Sequence, residues 1–441
     1  MMKKILALSL VLIMGLTMTG CARSDVVAMV GKTEIHLAEA QEIYNSLSKQ
    51  MLYMYSLYGI ILEPGTKDYE TFEANTKMST LSLMTEYVAM EEKLDEFNLS
   101  LTDEELLDIE VDAQVEYDQM VESFLASLGA EDEETKEENR ETAQQMVEDI
   151  GYSYDALCYL LRGEKVEEKL RDAVGGGITL TEEEVEAKYT ALLAEQEERY
   201  AAEPDQYARS VMNGDMIYTH PAGYRYVKNL LIGLPEETSE QIAEKSSELM
   251  AARTTLSTVE RQLGEEDAPV GDEKAALEAQ QAESLALVAE LEEAINTLRE
   301  QGLEEIREHT EEVLALCREQ GADFDALMQE YSIDLPEGGT LLERGYPVWA
   351  GSLNYVQSFT DGAMALANVG DISDPVASEY GFHIILYTGD AETGAVPLEA
   401  VRAAVSDAAF EEKEEMVFSA QKAYWLEKAD IRVYTNRFKV N

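Results

Sequence analysis

Cysteine and histidine are scarce in this chain, and cationic side chains are heavily outnumbered. Three cysteines and four histidines stand among 441 residues. Cys158 and Cys317 each sit in an apolar helical stretch (Leu157, Leu160 and Leu161; Val313, Leu314 and Leu316), which favours buried reduced thiols. A disulfide between them is the alternative, and sequence separation does not test its geometry. His36, His220, His309 and His383 are scattered, none at a metal-binding distance in sequence from a second His or Cys. Neither a metal nor a cofactor is expected. Thirty-four Lys and Arg face 89 Asp and Glu, a formal charge of -55. Such a surface repels nucleic acid and anionic headgroups, so no nucleic-acid partner is expected. Acid-rich solvated helix faces account for most of the charge, which by itself names no partner. The apolar run from Ile5 to Leu16 falls short of the roughly 20 residues that span a bilayer.

That run has another use. Lys3 and Lys4 precede it, giving the charged and hydrophobic regions of a secretory signal. Met18-Thr19-Gly20-Cys21 resembles the lipobox of bacterial lipoproteins, which implies a diacylglyceryl group on Cys21 and cleavage after Gly20. Two acyl chains suffice for stable anchoring. An ordinary secretory signal with Cys21 incidental is the alternative. Either way residues 1–20 read as signal, and their removal takes away two lysines and no acid.

Beyond the signal, Val26 to Val30, Gly31-Lys32 and Thr33 to Ile35 read as a hairpin with a two-residue turn. From Leu37 to about Ala173 the pattern is helical, interrupted at Gly59 to Gly65, at Asn98 to Leu101 and by the acidic stretch Glu131 to Glu141. Thr102 with Glu105, and Thr181 with Glu184, are capping boxes that start helices. The texture changes after Gly223: Tyr224 to Ile232 is strand-like and opens a new domain. From Ser239 the chain turns helical, with Ile242, Leu249, Leu256 and Leu263 spaced by sevens. A turn at Gly264, Pro269 and Gly271 follows, and Val288, Leu291, Ile295 and Leu298 step back by threes and fours. This is an antiparallel helical hairpin with a coiled-coil seam. Phe382 to Tyr387 is a strand, Pro397 to Lys428 an amphipathic helix and Ile431 to Tyr434 a last strand.

Between these elements lies a recognisable pattern. Gly321-Ala322-Asp323-Phe324, Tyr331-Ser332-Ile333-Asp334 and Gly338-Gly339 come first. Phe359, Ala363 and Leu366, then Gly370 to Val376, then Gly381-Phe382-His383-Ile384-Ile385 follow. In order and spacing this resembles the parvulin (PpiC) family of peptidyl-prolyl isomerases. The resemblance runs from Tyr224 to Asp390, broken by the helical hairpin. The flanking lipobox, hairpin and helices resemble in layout the PrsA and SurA foldases. It implies an α+β fold: residues 21–223 form a mostly helical chaperone-like domain, and residues 224–390 a parvulin-like domain with a coiled-coil insertion at 239–303. Residues 391–441 supply a helix and strand that pack back on the first domain.

The resemblance also implies a reaction. An amide C–N bond rotates over a barrier of ~18–20 kcal/mol because resonance is lost, and X-Pro bonds isomerise unaided in roughly tens to hundreds of seconds. What accelerates this is an apolar cup for the pyrrolidine ring and polar groups that favour the twisted amide. The family's pattern places Phe359 and Tyr355 in the cup, with Leu342 a further candidate. Asp334 falls near the substrate carbonyl, and His383 and Ser378 fall in one hydrogen-bonded cluster with Asn229. Three positions depart from the family: Asn229 stands for a histidine, Tyr355 for a methionine, and Thr340-Leu341-Leu342-Glu343-Arg344 for Asp-Leu-Gly and an aromatic. Taken singly, His383 and Phe359 read as core residues and Asp334 as a turn aspartate. Implied partners are unfolded exported polypeptides, and the membrane through lipid on Cys21; a homodimer is left open. The expected role is an extracytoplasmic, lipid-anchored foldase and isomerase. A catalytically inactive peptide-binding chaperone and a solute-binding lipoprotein are the alternatives.

Overall fold

The structure, a computed structural model, describes residues 25–130, 132–264, 269–336 and 339–439. Cys21 and the signal read before it lie outside the described residues. Contacts divide the chain into two compact units, one up to Thr179 and again from Phe410, the other Leu180–Ala409.

In the first unit, β1 (Val26–Val30) and β2 (Thr33–His36) form the expected hairpin, with Gly31 at φ 54° supplying the left-handed turn. Then come α1 (Leu37–Leu57), α2 (Lys67–Glu96), α3 (Asp103–Ser127), α4 (Glu133–Asp149) and α5 (Tyr154–Gly175). Thr102 and Glu105 cap α3 reciprocally, the threonine amide donating to the Glu105 carboxylate at 2.7 Å and the Glu105 amide to the threonine hydroxyl at 3.2 Å. The acidic stretch expected to interrupt the helices instead starts one. Asp132 accepts from the Thr135 amide at 2.8 Å, and Glu133 and Glu134 sit in the first turn, where the helix dipole favours negative charge. Ala143 and Val147 of α4 then bury against Val121 and Leu125 of α3. Breaks fall on both sides of α4: one between Ser127 and Glu133, and one at Gly151, whose φ of 96° and close approach to the Ser46 carbonyl leave no room for a side chain.

In the second unit, α6 (Glu182–Ala202) starts at the other capping box and α7 (Asp205–Asn213) follows. Next are β3 (Thr219–His220), β4 (Arg225–Gly233), α8 (Glu236–Gly264), α9 (Asp272–Cys317), α10 (Phe324–Tyr331), α11 (Gly339–Arg344), β5 (Tyr346–Val348), α12 (Gln357–Ala365), β6 (Val376–Ala377), β7 (Gly381–Asp390) and β8 (Gly394–Ala395). A four-stranded antiparallel sheet in the order β5-β4-β7-β6 is its centre. Side chains alternate across it. Leu230, Ile232 and Ile384 bury on one face under Val313, Leu314 and Cys317 of α9 and Phe324 and Met328 of α10. On the other face Val227, Ile385 and Tyr387 pack with Phe359 and Ala363 of α12. Tyr200, Tyr207 and Val211 of α6 and α7 cluster with Tyr224 and Tyr226, which gathers residues 180–223 with the sheet.

The α8–α9 arm keeps the heptad on both limbs. On α8 the inward positions are Ile242, Lys245, Leu249, Ala252, Leu256, Val259 and Leu263, with Ala252 and Val259 fully buried. On α9 they run from Gln281 through Ser284, Val288, Leu291, Ile295 and Leu298 to Gly302. The sevens read in the sequence were half the seam; Ala252 on one limb and Ser284 on the other are small residues at the alternate positions that let the limbs approach. Gly302 closes the base, where a Cβ would come within 3.0 Å of the Thr238 methyl. The return limb does not stop there, for α9 is a single 46-residue helix that runs on to Cys317 beneath the sheet.

Last come α13 (Leu398–Lys428) and β9 (Ile431–Val433). Val401 and Val405 pack with Val185 and Tyr218 in the second unit. Phe418 and Trp425 bury with Met90, Leu94, Val166 and Leu170 in the first unit, where β9 pairs antiparallel with β1. Phe438 belongs to a separate core of that unit, with Val27, Ile43 and Leu81, where it meets Tyr44 edge to face, the rings 5.6 Å apart.

Candidate functional site

The register of β4 and β7 sets the site. Asn229 lies opposite Ile385 and Leu231 opposite His383, so Asn229 and His383 are diagonal neighbours on the α12 face. Asn229 Oδ1 and His383 Nδ1 are 2.9 Å apart. On the other side of the ring, Nε2 is 2.8 Å from Ser378 Oγ. Asp334 arrives after α10, where the chain lies beside β4: the Ile333 amide donates to the Leu231 carbonyl at 3.0 Å and the Leu231 amide to Ser332 Oγ at 3.0 Å. There Asn229 Nδ2 donates to Asp334 Oδ2 at 2.8 Å, and the Tyr346 hydroxyl reaches Asp334 Oδ1 at 3.3 Å.

These bonds fix a direction. A carboxylate only accepts, so the Asn229 amide NH2 faces Asp334 and its oxygen faces the ring. His383 Nδ1 therefore carries the proton, Nε2 accepts from the Ser378 hydroxyl, and polarity runs from Ser378 through His383 and Asn229 to Asp334. Asn229, His383 and Ser378 are all buried. Burial pushes the imidazole down to about 4, against a smaller upward pull from Asp334. The histidine is thus neutral at neutral pH. Desolvation also raises the Tyr346 phenol, with Asp334 adding to the effect. Tyr346 remains a donor.

Beside this chain opens a cavity of about 600 Å³, lined by Asn229, Asp334, His383, Tyr355 and Phe359 together with Leu231, Tyr346, Leu353 and Val356. Its aromatic wall is continuous: Tyr346 to Tyr355 at 6.0 Å, Tyr355 to Phe359 at 5.4 Å and Phe359 to His383 at 5.2 Å, between ring centroids. Five of the seven residues singled out in the sequence therefore line one cavity. Ser378 stands behind His383 and orients it. Leu342 is the exception: it lies on α11, 46% exposed and away from the cavity. The stretch after Gly339 coils into a helical turn instead of running along the cup, and Tyr346, at the head of β5, lines the cup instead. Gly345 makes that turn possible, with φ 94° and a Cβ position only 2.2 Å from the Val227 carbonyl oxygen.

The wall from Leu353 to Val356 is held from a distance. Buried Asp205 of α7 accepts from Trp349 Nε1 and from the Leu353 amide, each at 2.8 Å, and its carbonyl accepts from Asn354 Nδ2 at 2.9 Å. Neither Tyr346 nor Asp205 was foreseen in the sequence. The Tyr-Pro-Val strand after Gly345 was the available signal for the first; nothing local marks the second. Among the described residues no group of three or more His, Cys, Asp or Glu side chains is placed to hold a metal.

A small antiparallel sheet, a helix across one face and a polar chain beside an aromatic cup make up a domain of parvulin type, and the chain is similar over short stretches to PrsA and SurA proteins. Residues 287–389 match the family model of the PPIC-type PPIase domain, a rotamase. That span starts on the return limb of the arm, so β4 and Asn229 precede it. Foldase protein PrsA of Geobacillus sp. (strain WCH70) is 39% identical over 88 residues, 19% of this chain and 29% of the relative. Chaperone SurA of Chromohalobacter salexigens is 42% identical over 65 residues, 15% of this chain and 14% of the relative. The chain thus spans under a third of the length of these curated relatives. Among solved structures, foldase protein PrsA from Streptococcus pneumoniae aligns over 86% of this chain and 96% of its own, at 15% identity and a TM-score of 0.24.

Proposed function

We propose that this chain is an extracytoplasmic foldase, anchored by lipid on Cys21, that binds unfolded exported polypeptides and catalyses cis/trans isomerisation of their X-Pro bonds. The observation that carries the reading is the directional chain from Ser378 through a neutral His383 and Asn229 to the Asp334 carboxylate, beside an aromatic-walled cavity. Its volume of about 600 Å³ suits a proline and its neighbours. Tyr355, Phe359 and Leu353 receive the pyrrolidine ring. Resonance must be lost as the C–N bond turns, and the carbonyl oxygen loses part of its negative character while the nitrogen gains a lone pair. Preorganised groups that suit this redistribution lower the barrier without forming a bond. Asn229, Asp334 and the Tyr346 hydroxyl are among the polar groups lining the cavity, and no net proton transfer is needed.

A protease-coupled assay on an Ala-Pro peptide tests this. The wild-type chain should accelerate isomerisation well above the uncatalysed rate, and Asp334→Ala and His383→Ala should each lower kcat/KM by roughly ten- to a hundredfold. A wild-type rate equal to the uncatalysed one would remove the enzyme reading. Asn229 in the place of the family's histidine favours a second reading, in which the same cavity binds peptide without catalysis. Tyr355→Ala weakening peptide binding, with no acceleration by the wild type, is the result that would select it.

A further inference from the structure

Leu353 lines the cup, yet its side chain is 85% exposed, so burial does not fix where it stands. Polar contacts from one helix do. Asp205, Arg209 and Met212 lie four and three residues apart, on one face of α7. Asp205 Oδ1 accepts from Trp349 Nε1 and Oδ2 from the Leu353 amide, each at 2.8 Å. Arg209 Nε donates to Asn354 Oδ1 at 3.0 Å, and the Tyr355 hydroxyl lies 3.7 Å from Met212 Sδ. The loop from Trp349 to Tyr355 is thus gripped at successive points along α7. That helix is itself fixed, with Tyr207, Ala208 and Val211 buried against Tyr224 and Tyr226.

A buried carboxylate is costly unless its lone pairs are used. Asp205 is buried, and its two oxygens meet two donors, an arrangement that an amide side chain does not repeat. Asparagine brings one acceptor and one NH2, so one of the two donors would face a donor. The first turn of α7 also favours the negative charge. Helix α7 precedes β4 and lies outside the span 287–389 that matches the family model. The wall and the helix that sets it come from separate stretches of chain.

We propose that Asp205 is a positioning residue for prolyl binding: by holding the Trp349 indole and the Leu353 amide it sets the outer wall of the cup, and the peptide site of this chain begins at α7. The polar chain from Ser378 to Asp334 makes no hydrogen bond to that loop among the described residues, so the effect falls on binding and not on the rate of the bound peptide. The proposal rests on proline occupying the cup.

Its test uses the whole chain and a labelled Ala-Pro peptide, with dissociation constants from fluorescence anisotropy and kcat and KM from the protease-coupled assay. Asp205→Asn should weaken binding and raise KM about five- to twentyfold, with kcat within about twofold of wild type. In Asp205→Asn/Trp349→Phe the amide oxygen can serve Leu353 while its NH2 meets no donor, so the double variant should bind tighter than Asp205→Asn alone. Arg209→Ala removes an exposed grip on the same loop, should weaken binding about two- to threefold, and carries the test if Asp205→Asn does not fold. Val313→Ala, in the core on the far face of the sheet, controls for lost stability and should bind within about twofold of wild type. Unchanged affinity in Asp205→Asn and Arg209→Ala, an equal loss in Val313→Ala, a double variant no tighter than Asp205→Asn, or a fall in kcat at unchanged KM overturns the positioning role. Wild-type binding and turnover that these variants leave unchanged remove that role and keep the cup as the prolyl site. No binding by the wild type removes both.

Discussion

His383 titrates near 6.5 in an unfolded chain and at about 4 in the fold, because burial disfavours the imidazolium. Between those values the unfolded chain binds more protons, so stability is complete above pH 6.5 and falls as the pH drops toward 4, by about 3 kcal/mol for this group. His220, in hydrogen-bond contact with Tyr207, is lowered by burial in the same direction. Thermal unfolding of the second unit should therefore shift to lower temperature between pH 6.5 and 4. His383→Gln should remove most of that slope; an unchanged slope would assign it elsewhere. Asn229→Asp puts a carboxylate where Asn229 Oδ1 now lies, 2.9 Å from Nδ1, and should raise the His383 titration seen by NMR back towards its ordinary value. At this scale the sequence was informative where a family pattern fixes spacing, as for Asp334, His383 and Phe359. It was silent where a side chain acts across the fold, as Asp205 does on the loop from Trp349 to Asn354. Leu342 lies away from the cavity because the chain after Gly339 coils into α11 and leaves that side chain exposed.

Among the elements, strands and caps were the most legible. Both capping boxes form, because each is a local exchange of two hydrogen bonds. The interruption read over Glu131 to Glu141 falls only at its start, between α3 and α4; from Glu133 on, the acids stand in the first turns of a helix, where their charge is favourable. The seam of the arm was half seen, since Ala252 and Val259 carry little hydrophobic signal by size yet are the most buried positions of α8. The hinge between α11 and β5 is tighter than either. Gly345→Ala places a methyl against the Val227 carbonyl at a left-handed φ, and should cost about 3 kcal/mol or more of stability in denaturant unfolding of the second unit. A loss within 0.5 kcal/mol would mean that β5 moves freely off β4.

For the whole molecule, the chain leaves its first unit at Thr179 and re-enters it at Phe410. The sequence offered that return only through the layout it resembles, in which a terminal helix and strand pack back on the first domain; in the fold β9 takes the second edge of β1. Ending the chain after Lys428 removes β9 and Phe438, leaving one edge of β1 unpaired and the core beside Tyr44 open. We expect that truncation to lower the melting of the first unit while the second unit's transition stays in place, as read by calorimetry; loss of both transitions together would show one cooperative fold.

The uninterrupted course of α9 has a consequence in length. At 1.5 Å per residue, its stretch from Asp272 to Gly302 spans about 45 Å, held straight by the seam with α8. The tip of the arm and the aromatic cup are thus the two ends of a ruler. A polypeptide that touches both at once needs about 13 extended residues, so short peptides would report on the cup alone, and any contribution of the tip would first appear with longer clients.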